Sequence, residues 1–158
     1  MPEFREMRRK EKQISEKEAA DILESTEWMN LSTVLENGYP YSVPLNHVVM
    51  DGKVYFHSAL EGQKADAFRK ENRVCISIVQ SSEIVPDKYS TNFRSITAFG
   101  KISFVEDDAE KRTALNALID KFSPGFKDGG PAYIEKMFER TAVYCISIEH
   151  ITGKMSRK

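Results

Sequence analysis

The chain has 158 residues, 41% of them hydrophobic and 30% charged, a composition that suits one ordinary globular core and excludes fibrous or disordered classes. Lys and Arg total 23 against 24 Asp and Glu, so no basic excess draws the chain to nucleic acid, and any anion must be held locally. No apolar run approaches the ~18 residues that span a bilayer and the first residues are charged, so no membrane contact is expected and the expected compartment is the cytoplasm.

Residues 1–13 read as a charged N-terminal arm, with Arg5, Arg8, Arg9, Lys10 and Lys12 interleaved with Glu, and residues 14–158 as one domain. Ser15 followed by Glu18 forms a capping box, and Ala19, Ile22, Leu23 and Thr26 share a helical face, which predicts a helix to about Glu27. From Met29 the period becomes alternating. Asn37-Gly38 and Asp51-Gly52 accept the positive φ angles of type I′ hairpin turns, so strands are predicted at 29–35, 40–50 and 53–58, joined as a meander.

A short helix at 62–70 and a strand at 73–79 follow, then a polar loop at 81–90. A long strand is expected at 93–104, with Gly100 as a bulge or bend. Asp107 or Asp108 caps an amphipathic helix through Leu115, Leu118, Ile119 and Phe122, which Ser123-Pro124-Gly125 ends. A helix at 132–140 and a strand at 142–149 complete the chain. Six strands, the first three linked by tight turns, predict a mainly β fold, a six-stranded antiparallel split or closed barrel with three or four helices, rather than a doubly wound sheet. Cys75 and Cys145 sit in apolar alternating runs and read as reduced core residues.

Three segments offer chemistry. Phe56-His57-Ser58-Ala59-Leu60-Glu61-Gly62-Gln63-Lys64 ends a strand in small polar residues and starts a helix with a lysine in its first turn, which suits an anion because free N–H groups, the helix dipole and an ammonium converge there. Tyr41-Ser42-Val43-Pro44-Leu45-Asn46, preceded by Pro40, carries two prolines in one strand; each removes a ladder donor and puts the segment at an edge, where a flat heteroaromatic ring can use unpaired backbone groups. An ordinary edge strand fits the same pattern. Arg94 and Ser95 open a long strand, placing a cation and a hydroxyl where a neighbouring subunit's ligand is within reach; a solvated edge is the alternative. The three histidines, His47, His57 and His150, lack metal-ligand spacing, so no metal site is expected, and no nucleophile elbow, Walker or dinucleotide glycine pattern is present.

Taken together, these segments resemble the FMN-binding split-barrel family of pyridoxamine 5′-phosphate oxidase, and most closely its nitroimidazole-resistance (Nim-type) branch. The likeness runs through Met7-Arg8-Arg9-Lys10, Gly38 to Asn46, Tyr55 to Ala59, Glu61 to Lys64 and Ile148 to Lys154. It implies a homodimer with FMN at the interface. It further implies that Tyr41, Ser42, Val43, Pro44, Leu45 and Asn46 line the isoalloxazine, that His57 and Ser58 sit beside the ribityl chain and phosphate, and that Gln63 and Lys64 hold the phosphate. Ser95, with Arg94 near it, would come from the partner subunit.

Gly62-Gln63-Lys64 stands where the oxidase proper has Ser-Arg-Lys, so one phosphate cation is missing. The chain also stops soon after His150, without the arm that in the oxidase resembles a pyridoxal clamp, so pyridoxamine phosphate oxidation is not expected. The branch implies instead reduction of nitroaromatic compounds with a nicotinamide donor, NAD(P)H, and His57 or Arg94 as proton source or charge stabiliser. A non-catalytic module binding or sensing a flavin, haem or deazaflavin is the alternative, and a barrel binding single-stranded nucleic acid is the third, suggested by the strand count and the basic arm.

Overall fold

Every strand is antiparallel to its neighbours, and the order in which they pair explains why the sheet curls. In a computed structural model that describes residues 3–158, eight strands form one sheet: β1 (Gln13–Ile14), β2 (Trp28–Val34), β3 (Pro40–Asn46), β4 (Val48–Met50), β5 (Lys53–Ala59), β6 (Arg73–Val85), β7 (Ser90–Phe104) and β8 (Thr141–Ser156). The order across the sheet is β3-β2-β6-β7-β8-β5-β4, with β1 added to β8. The outermost strands β3 and β4 are consecutive in the chain and separated by His47 alone, so the sheet has to roll until its two edges meet.

This corrects the expected single strand over 40–50 and the six-strand count. Residues 40–46 pair with β2, while 48–50 pair with β5 through the Asp51-Gly52 turn. That turn is of the expected type, with Asp51 at φ 51° and Gly52 at φ 75°. The other is not: only Gly38 of its residues has positive φ, and Gly38 N–H donates to Leu35 C=O at 2.9 Å while Leu35 N–H donates to Tyr39 C=O. The loop is therefore a three-residue turn closed by a glycine bulge.

The expected loop at 81–90 is also strand. β6 runs on to Val85 and β7 starts at Ser90, forming a ribbon turned at Pro86–Lys88. Both faces of this ribbon are largely solvated and its pairs are mostly polar, such as Glu83 with Asn92, so no apolar alternation betrays it. β8 continues to Ser156 rather than ending at Glu149, because its second half pairs with the start of β7.

Other expectations hold. Ser15 Oγ accepts from Glu18 N–H at 3.1 Å and Glu18 Oε2 accepts from Ser15 N–H, capping α1 (Glu16–Ser25). Helix α2 is Gln63–Lys70, and α3 (Asp108–Phe122) is capped by Asp107 and ends before Pro124. Helix α4 (Gly130–Met137) passes into a 3₁₀ turn, Phe138–Arg140. At Gly100 the β7/β8 register shifts, and a Cβ there would lie 2.3 Å from Ser147 O, so only glycine fits the bulge.

The barrel interior is filled by Ile22, Met29, Leu31, Phe56, Ile76, Ile96 and Ile146, with α1 closing one end. A second cluster, including Val48, Val143, Ala114 and Leu118, seats α3 on the outside of β4, β5 and β8. Residues 3–13 are docked rather than purely solvated: Phe4 stacks on His150 with ring centroids 4.8 Å apart. The two cysteines are free thiols in the sheet, Cys145 buried and Cys75 half-buried. Among the described residues no helix is long and apolar enough to cross a membrane.

Candidate functional site

β4 covers β5 only as far as Tyr55, so the segment from Phe56 to Ala59 is paired with β8 on one side and lacks a strand on the other. β3 also has a free outer edge. The Leu35–Tyr39 hydrogen bond sets the parity of the ladder: Tyr41, Val43 and Leu45 direct their backbone groups at β2, and the even-numbered residues direct theirs outward. Pro40 and Pro44 fall on outward positions and cost the ladder nothing, which leaves the N–H groups of Ser42 and Asn46 open at the split.

A groove of about 600 Å³ lies along this opening, within the size range of small-molecule sites. One wall brings together Leu45 and Asn46 of β3, His57 and Ser58 of β5, and Lys64 from the first turn of α2. The opposite wall is apolar and comes from α3 and α4, chiefly Leu118, Ile119, Phe122, Ile134 and Met137. Arg140 and Thr141 also line the groove.

Five of the expected site residues therefore meet in one place. Asn46 is oriented by donating from Nδ2 to Glu27 O at 3.1 Å. His57 is exposed along one edge, and partial desolvation by its surroundings lowers its imidazole pKa, which favours the neutral ring with one donor and one acceptor. Gly62, at φ 135°, turns the chain into α2, and no side chain caps the helix, so its first N–H groups have no side-chain partner.

Other expected residues lie elsewhere. Tyr41 and Val43 are half-buried, Ser42 and Pro44 exposed, and none of the four lines the groove, although they share the same free edge. Gln63 lines a separate hollow with Glu36 and Asp66. Arg94 is held on β7 by Nη1 donating to Gln80 Oε1 at 2.9 Å, and its Nε is buried without a partner. Ser95 lines a hollow of about 240 Å³ with Arg8, Arg9 and Lys154, apart from the groove.

The α3–α4 wall and Arg140 were not foreseen. Arg140 stands alone before an apolar strand, and nothing in its spacing signals a site. Among the described residues no group of three or more His, Cys, Asp or Glu is arranged to hold a metal ion.

Residues 15–155 match the family of pyridoxamine 5′-phosphate oxidase. The chain belongs to that family. Comparison with curated protein sequences finds no match. Among solved structures, family resemblance extends to a candidate 5-nitroimidazole antibiotic resistance protein of Bacteroides thetaiotaomicron, at 27% identity and TM-score 0.73 over 90% of this chain and 85% of that one.

A conserved hypothetical protein of Mycobacterium tuberculosis superposes with TM-score 0.80 at 19% identity, covering 95% of this chain and 90% of that one. An FAD- and haem-binding protein of Mycobacterium smegmatis gives TM-score 0.77 at 22% identity, over 93% and 74% of the two chains. These last two likenesses establish the split-barrel fold.

Proposed function

We propose that this family member is an FMN-dependent oxidoreductase of the nitroimidazole-reductase type, acting as a homodimer with a nicotinamide donor. The observation that carries the reading is the meeting of Asn46, His57, Ser58 and Lys64 in one groove at the split of the barrel. Those side chains come from three separate elements, and a ring with imide and carbonyl groups suits the open Ser42 and Asn46 N–H groups beside them.

The residues fit the cofactor. Lys64, the Ser58 hydroxyl and the uncapped N–H groups of α2 would hold its phosphate. Leu45 and the edge of β3 would face its ring. Bound FMN supplies hydride acceptance from a nicotinamide and electron delivery to a nitro group. The protein's own share is placement: the apolar face of α3 and α4 excludes water, and the neutral His57 ring can donate a hydrogen bond to the reacting groups without bringing charge into the groove. Arg94 and Ser95 do not line this groove, so a role for them there would require a second copy of the chain.

Purified protein should be yellow and should release FMN on denaturation, identified by mass spectrometry. Anaerobic NADH or NADPH should bleach the flavin band, and a nitroimidazole should restore it. Protein that releases no flavin overturns the reading. The alternative of a non-catalytic flavin or haem module is supported by the Mycobacterium smegmatis protein, which binds FAD and haem. A Soret band, or a flavin that no nicotinamide reduces, would favour it.

A further inference from the structure

We infer that Arg140 is a second phosphate-binding cation of the groove, taking the role left open where Gln63 replaces an arginine. The inference rests on the FMN reading above and goes beyond it by assigning a residue that the family resemblance does not point to.

Two positive side chains, Lys64 and Arg140, line the groove, and no carboxylate does. Among the described residues neither of them takes part in an ion pair, whereas Lys70, Arg69 and Arg112 nearby do. Lys64 is half-buried and Arg140 exposed, so both cations can be reached from solvent, and neither is neutralised within the groove. The arrangement is satisfied by an anion of about two charges, and a phosphomonoester carries roughly −1.5 to −2 at neutral pH.

Topology brings Arg140 to the right corner. Ala59 and Thr141 are the last pair of the β5/β8 ladder. Beyond it Arg140 lies on one side and Leu60 on the other, with Gly62 and the start of α2 two residues further along the chain. Gln63 is turned away into a hollow that contains Glu36 and Asp66, a poor place for a phosphate.

The turn that carries Arg140 is clamped. Lys111, a buried lysine of α3, donates from Nζ to Phe138 O at 2.6 Å, and the Arg112 guanidinium lies 4.2 Å over the Phe138 ring. A planar guanidinium projecting from a fixed turn can grip two phosphate oxygens at once, which an ammonium cannot.

The test is titration of FMN and of riboflavin into the flavin-free full chain, unaltered and as Arg140→Gln and Arg140→Lys, with melting temperatures confirming that each is folded. Arg140→Gln should weaken FMN by about tenfold or more, leave riboflavin unchanged, and be partly rescued by lysine. Unchanged FMN affinity overturns the inference and leaves the FMN reading standing. Equal weakening of FMN and riboflavin also overturns it, since Arg140 would then act on the ring or the fold. If the unaltered chain binds no FMN, the function proposed above fails together with it.

Discussion

His47, the single residue at which the chain passes from one sheet edge to the other, should make the fold acid-sensitive. Its side chain is fully buried, Nε2 lies 2.6 Å from Leu23 O, and Nδ1 has no partner. The Nε2–H tautomer therefore donates to Leu23, and a second proton would have to sit on an enclosed nitrogen. Lys121 adds to the cost: its Nζ donates to Thr26 O at 2.6 Å and His47 O at 2.8 Å, which places a cation beside the ring. Burial, with Lys121 contributing, lowers the His47 pKa from 6.5 to about 4, while Glu24 and Glu27 support the charge of Lys121.

Between these two pH values the unfolded chain binds more protons than the folded one. Stability therefore falls as pH falls, by about 2.5 kcal/mol between about pH 7.5 and about pH 4.5 from this residue alone. Urea unfolding at the two pH values measures it, with His47→Gln as the comparison because its amide can still donate to Leu23 without titrating. The wild type should lose about 2.5 kcal/mol more than the variant. Equal acid losses in both proteins would show that His47 is not the responsible group.

Three further outcomes follow from packing and charge. Gly100→Ala forces a Cβ to within 2.3 Å of Ser147 O and should cost about 2 kcal/mol or more, lowering the melting temperature by roughly 4–8 °C. Ser15→Ala removes the acceptor for Glu18 N–H and should cost about 1 kcal/mol, or roughly 2–4 °C, in the same scan. Lys64→Glu places a carboxylate in the groove and should weaken FMN binding by at least about tenfold in a fluorescence titration, without a comparable loss of stability in the flavin-free protein. Retention of bound flavin by Lys64→Glu would remove the phosphate from this corner.

What the sequence disclosed depended on whether a residue type had one physical use at its position. Ser15 with Glu18, and Asp51 with Gly52, are local devices whose partners lie within a few residues, so the pattern and the geometry coincide. Gly100 was legible for a related reason, since a glycine inside a long strand, between Phe99 and Lys101, has little purpose except a bulge or close approach. The two prolines of β3 correctly announced a free edge.

Pairing partners were less visible than periodicity, because alternation reports burial and says nothing of which strand lies alongside. Residues 40–50 read as one strand, yet His47 divides them between opposite edges of the sheet. That division is what opens the split: β4 is too short to cover β5 beyond Tyr55, and β3 leaves along the other edge. The groove residues Asn46, His57 and Lys64 lie in segments that local sequence singles out, and the family resemblance is what names them as site residues. Arg140 joins them only through the register of β5 with β8, a contact between residues about eighty positions apart in the chain, and no short-range pattern carries it. A site at a gap in the sheet is thus built from edges the sequence can announce and from a lining residue that only the register supplies.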